Sequence, residues 1–159
     1  MKSAYRLGRD VAAAAGLVLV LAGAHAAGGS MLISSRDPAL AINAWGGARD
    51  GTALRLHNGC RPDNSDCGWS YRGGLLISDA APGLAIKAVN VADGAALVLA
   101  SGCQRTTPGC GWTYRDGMFI SDGTSLAISA WGGARYGTTL RLSGSCRASN
   151  PDCTWSRPR

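Results

Sequence analysis

Residues 40–71 read LAINAWGGARDGTALRLHNGCRPDNSDCGWSY, and residues 126–156 read LAISAWGGARYGTTLRLSGSCRASNPDCTWS. The two stretches align without a gap at an offset of 86 residues, and 21 of the 31 shared positions are identical. Residues 84–114, LAIKAVNVADGAALVLASGCQRTTPGCGWTY, are a looser third copy. Cys60, Cys103 and Cys146 lie 43 residues apart, and so do Cys67, Cys110 and Cys153, and Trp69, Trp112 and Trp155. A fixed period of this kind means one supersecondary unit built three times, so the unit has to be understood before any single residue.

Each copy, with the residues just before it, contains four short apolar segments separated by Gly, Pro, Asp and Ser. In the first unit they are residues 31–34, 40–44, 53–57 and 69–72. Leu40 and Ile42 fall on one face of an extended chain, as do Leu54 and Leu56, and Trp69 and Tyr71. Asp50-Gly51 and Asp93-Gly94 precede the third segment as turns, with Tyr136-Gly137 in the matching place. The chain therefore reads as all-β, in repeats of about 31–74, 75–117 and 118–159. A propeller blade has a similar length and four strands, but propellers need about four to eight blades. Twelve strands closed with threefold pseudosymmetry give a β-trefoil, which leaves few sheet edges exposed. Ile33, Ile42, Leu54, Trp69 and their counterparts are expected to supply its core.

The N-terminal segment 1–26 reads as a signal peptide. Lys2, Arg6 and Arg9 precede an apolar run over 11–23, and Ala24-His25-Ala26 is a small-residue cleavage site. The run is short for a membrane span, which needs about 20 apolar residues. Residues 27–159 are then one domain, secreted or periplasmic, with no integral membrane segment. The full chain carries 16 Lys and Arg against 10 Asp and Glu, and removal of residues 1–26 lowers the net charge from +6 to +4. That bias is too mild to point to nucleic acid. Six cysteines in an exported chain, spaced C-x6-C three times, predict the bridges Cys60–Cys67, Cys103–Cys110 and Cys146–Cys153. Neither the cysteine spacing nor the histidines suit a metal, and no cofactor is expected.

Over residues 27–159 the pattern resembles the ricin-type, or Q-x-W, β-trefoil lectins. The resemblance rests on three repeats, the strand-borne Leu40-Ala41-Ile42, Gly51-Thr52, an apolar third strand ending near Cys60, and a tryptophan closing each unit. It implies a trefoil and a carbohydrate ligand. Three departures fall on functional positions. Cysteine replaces the motif glutamine in Cys67-Gly68-Trp69, Cys110-Gly111-Trp112 and Cys153-Thr154-Trp155. Ala41, Ala85 and Ala127 stand where the family carries its sugar-binding acid. His57, Ala100 and Ser143 stand where it carries an aromatic platform.

A different site is suggested by Trp45-Gly46-Gly47-Ala48-Arg49 and Trp131-Gly132-Gly133-Ala134-Arg135. A tryptophan on a glycine-rich loop has little to bury it, and an exposed ring suits stacking on a sugar. Candidate ligand-binding residues are Trp45, Arg49, Asp50, Arg55 and Asp66 in unit one, and Trp131, Arg135, Arg141 and Asp152 in unit three. The alternative is that both rings cap the barrel. Unit two, with Val89, Ala92, Val98 and Gly109 at the matching places, reads as inactive. Catalysis is not expected: the cysteines pair off, His57 is the one histidine after residue 26, and the aspartates lie in polar turns. Two functions remain. One is a carbohydrate-binding protein for glycans or glycoconjugates. The other is a protein-interaction trefoil, such as a toxin adhesion subunit or a protease inhibitor.

Overall fold

The computed structural model describes residues 30–156, so segment 1–26, read above as a signal peptide, lies outside the described residues. Thirteen strands form three antiparallel sheets. Strands β2 (Ile33–Ser34), β3 (Ala41–Ala44) and β4 (Leu54–His57) belong to repeat one, with β13 (Trp155–Ser156) paired to β2. Strands β5 (Gly68–Arg72), β6 (Leu75–Ser78), β7 (Leu84–Ala88) and β8 (Leu97–Ser101) form the second sheet, with β1 (Ser30–Met31) on the edge of β5. The third sheet holds β9 (Trp112–Arg115), β10 (Met118–Ser121), β11 (Ala127–Ala130) and β12 (Leu140–Ser143). The fold is a β-trefoil, and one 3-10 turn, Ser65–Cys67, is the only helical element among the described residues.

Closure is made by the third strands. The Leu56 N–H donates to the Thr138 carbonyl, Leu99 to Thr52, and Leu142 to Ala95, each at 2.9 Å. In return the N–H groups of Gly51, Gly94 and Gly137 donate to Leu99, Leu142 and Leu56, each at 2.8 Å. The turn before each third strand is thereby pinned against the third strand of a neighbouring repeat. This ring of six bonds removes the free edges that three separate sheets would expose.

Ile42, Leu54 and Trp69, with their counterparts Ile86, Ile128, Leu97, Leu140, Trp112 and Trp155, are all buried in the common core. Burying an indole also buries its N–H, and each is satisfied within its own repeat. Trp69 donates to the Ile42 carbonyl at 3.0 Å, Trp112 to Ile86 at 3.0 Å and Trp155 to Ile128 at 3.2 Å. The expectation for Ile33 is corrected. Leu32, Leu76 and Phe119 are the buried residues of the first strands, whereas Ile33, Ile77 and Ile120 are half-buried. The segment predicted over 31–34 also divides at Leu32, because β1 pairs with β5 while β2 turns to β3 and β13.

All three predicted disulfides form. Each closes a loop of eight residues, a constraint on the unfolded chain worth about 2.5 kcal/mol.

Candidate functional site

The loop from β11 to β12 leaves the sheet at Trp131 and reverses over Gly132 and Gly133, at φ +80° and +101°. An L side chain is strained at such angles, so this Gly-Gly pair is what lets the chain fold back behind the indole. Thr138 fastens the loop: its hydroxyl donates to the Gly133 carbonyl at 3.0 Å and accepts the Arg135 N–H at 3.1 Å. The β3–β4 loop repeats this with Gly46, Gly47 and Thr52. The outer edge of each ring approaches a turn glycine of another repeat. A Cβ on Gly94 would sit 3.6 Å from the Trp131 indole, and one on Gly137 would sit 4.0 Å from that of Trp45. A guanidinium lies over each ring, with Arg141 6.0 Å from Trp131 and Arg55 5.2 Å from Trp45. Arg141 also donates to the Gly94 carbonyl at 2.8 Å.

The two loops differ in surroundings. Trp131 is 43% exposed and edges an open polar cleft of about 430 Å³ lined by Asp93, Ser129, Ser143, Asn150 and Asp152. Asp152 Oδ1 accepts the Ala134 N–H at 3.0 Å, tying the disulfide loop to the tryptophan loop. Trp45 is half-buried. His57 and Tyr136 lean on it with ring centroids 5.7 and 5.4 Å away, and these two rings lie 5.3 Å from each other. Repeat one thus presents an aromatic cluster where repeat three presents a cleft.

Of the residues expected to bind ligand, Trp131, Arg141 and Asp152 come together in repeat three, as Trp45 and Arg55 do in repeat one. Asp66 lies in the 3-10 turn of the Cys60–Cys67 loop, its N–H held by Asn64 Oδ1 at 3.1 Å. Arg49 and Arg135 are exposed at loop tips. Asp50 accepts the Ser101 N–H of repeat two at 2.7 Å. Sequence reasoning missed Asp93, Ser129, Ser143 and Asn150 of the cleft, and Tyr136 and His57 of the cluster. Asp93 reads only as a turn residue, because its place at the cleft follows from closure between repeats.

Ala41, Ala85 and Ala127 are buried, and Ala127 packs with Met118, Cys146 and Cys153. At Ala127 the Cys146–Cys153 disulfide covers the side chain, so a carboxylate there would be desolvated without a partner.

A second cavity, of about 490 Å³, lies between repeats two and three beside Val91, Thr107 and Asp122. There Arg105 Nε meets Asp122 Oδ2 at 2.8 Å, and the Thr113 hydroxyl donates to Asp122 Oδ1 at 2.7 Å. Burial raises the Asp122 pKa, but the bonds from Thr113 and Arg105 outweigh it and hold the carboxyl below its ordinary value. Among the described residues no cluster of His, Cys, Asp or Glu could hold a metal, and no helix is long and apolar enough to cross a membrane.

No sequence-family profile matches the chain, and no curated protein matches it in sequence. Solved structures do match in fold. A designed threefold-symmetric protein, ThreeFoil, superposes with a TM-score of 0.66 at 14% identity, covering 82% of this chain and 97% of its own. The C-terminal half of an earthworm R-type lectin, solved with GalNAc, gives 0.66 at 10% identity over 80% of this chain and 95% of its own. The β-trefoil lectin of the Vibrio vulnificus hemolysin/cytolysin, solved with N-acetyl-D-lactosamine, gives 0.60 at 16% identity over 80% and 91%. At these identities the likeness is one of fold.

Proposed function

We propose that this is a secreted carbohydrate-binding protein whose principal site is the cleft of repeat three, with Trp131 as its stacking platform. The observation that carries the reading is an indole 43% exposed at the rim of a polar cleft, on a loop braced by Thr138 and Asp152. A sugar ring has an apolar C–H face and a hydroxyl edge. The indole suits the first, and Asp152, Asn150, Ser129 and Ser143 suit the second. Two of the trefoils it resembles in fold were solved with GalNAc and N-acetyl-D-lactosamine, which supports the choice of ligand class. Repeat one offers a second, more aromatic site at Trp45, Arg55 and His57, together with Tyr136 of repeat three. The sequence 1–26 would direct export and be removed, and the three disulfides suit an oxidising compartment.

The test is a glycan array probed with residues 27–159 and with Trp131→Ala. Binding to one or more glycans that Trp131→Ala abolishes supports the reading. Binding to none overturns it and favours the interaction-protein alternative. That alternative draws on Val89 and Val91, apolar side chains 55% and 38% exposed on the loop of repeat two.

A further inference from the structure

The cleft at Trp131 is walled by two repeats. The turn before each third strand packs against the end of the third strand of another repeat, and its first residue is Asp in repeats one and two and Tyr in repeat three. Asp50 Oδ1 accepts the Ser101 N–H at 2.7 Å, and Asp93 Oδ1 accepts the Gly144 N–H at 2.7 Å. At the remaining junction Tyr136 stands in place of the acid and packs on His57 and Trp45. Repeat two therefore contributes Asp93 to the cleft of repeat three, although its own loop carries Val89 in place of the tryptophan.

Asp93 and Asp152 line the same cleft, and each spends Oδ1 on a backbone N–H. Neither Oδ2 has a hydrogen bond among the described residues. No Lys, Arg or His lines the cleft. Two cations lie nearby and bond only neutral carbonyls: Arg141 lies over Trp131, donates to the Gly94 carbonyl and leaves its buried Nε without a partner, and Arg147 donates to the carbonyls of Gly144 and Cys146. A ligand here meets an indole face and two carboxylates with accepting capacity to spare.

Resting on the reading that this cleft binds sugar, we propose that Asp93 and Asp152 make it selective for a pyranose bearing a protonated amine, an amino sugar of the glucosamine type. The ammonium donates to the carboxylates, a charge-assisted contact stronger than a hydroxyl makes, while the C–H face of the ring lies on Trp131. N-acetylation removes the charge, and a sulfated or uronic sugar meets like charge. Asp93 is then the specificity residue supplied by a neighbouring repeat.

The experiment is calorimetric titration with three tetrasaccharides sharing a β-1,4-linked backbone: deacetylated chitosan, chitin and cellulose oligomers. The chitosan tetramer is expected to bind about fivefold more tightly than the cellulose tetramer, the lower end of what a charged hydrogen bond in a solvated cleft supplies. Asp93→Asn keeps the acceptor for the Gly144 N–H, so it should erase the preference without moving Tm, and Asp152→Asn should do the same. Asp50→Asn, which carries the matching backbone bond at another junction, should leave binding unchanged. Equal binding of the three sugars, all weakened by Trp131→Ala, overturns the amino-sugar inference and leaves the lectin reading standing. A chitosan preference that survives both Asp→Asn changes is nonspecific charge attraction and also overturns it. No binding to these sugars or to any array glycan sinks both.

Discussion

The five tryptophans differ in burial, three of them inside the barrel, Trp45 half-buried and Trp131 exposed. Trp69, Trp112 and Trp155 lie inside the barrel with their N–H groups satisfied, so Trp112→Ala should cost about 3 to 5 kcal/mol in denaturant unfolding. Trp131→Ala should weaken glycan binding at least about tenfold while Tm barely moves, because a ring stacked on a ligand contributes far more to the complex than to the fold. Trp45→Ala falls between them and should lose about 1 to 2 kcal/mol, from contact with His57 and Tyr136. Destabilisation by Trp131→Ala as large as that by Trp112→Ala would make Trp131 a barrel cap. Asp122 gives a pH signature. Its folded pKa is lowered from 3.8, so the stability it adds is complete above that value and is lost as pH falls through the folded pKa. Because both partners are solvent-accessible, Asp122→Asn should bring only a small loss of Tm at neutral pH. As pH falls through the folded pKa the two proteins should converge, which a pair of thermal melts would show.

The elements that build the cleft are a hairpin loop and a disulfide loop, which makes its integrity depend on one bridge. Cys146–Cys153 encloses Asn150 and Asp152. Replacing both cysteines with serine should cost about 2.5 kcal/mol and also lose binding. The same change at Cys103–Cys110 should cost a similar amount and leave binding in place, as urea unfolding and titration of the two variants would show. Much of this level was legible in the sequence. The spacing of six cysteines specified the bridges, and Leu-x-Ile and Leu-x-Leu alternation placed the second and third strands. The first strands were misread because 31–34, 75–78 and 118–121 read MLIS, LLIS and MFIS, with three apolar residues in succession. Alternation cannot choose a face there. The choice of Leu32, Leu76 and Phe119 is set by which face the common core of the three repeats covers.

For the whole molecule, three near-copies close into one barrel, and the differences between them collect at the junctions. The period of 43 residues dictated the number of units and hence the closed trefoil, but it could not say which turn meets which strand end. Asp93 and Tyr136 acquire their surroundings only there, which is why repeat two looked idle and repeats one and three looked alike. The account stands on the claim that Trp131, and not the core, is where a sugar is met. Two-dimensional NMR of 15N-labelled residues 27–159 resolves the indole N–H signals, three of them bonded to the carbonyls of Ile42, Ile86 and Ile128. On titration with the best-binding oligosaccharide from a glycan array, the Trp131 indole should shift in a saturable way while those three stay still. A titration that saturates with the Trp131 signal unmoved, or that shifts the three core signals instead, would contradict it.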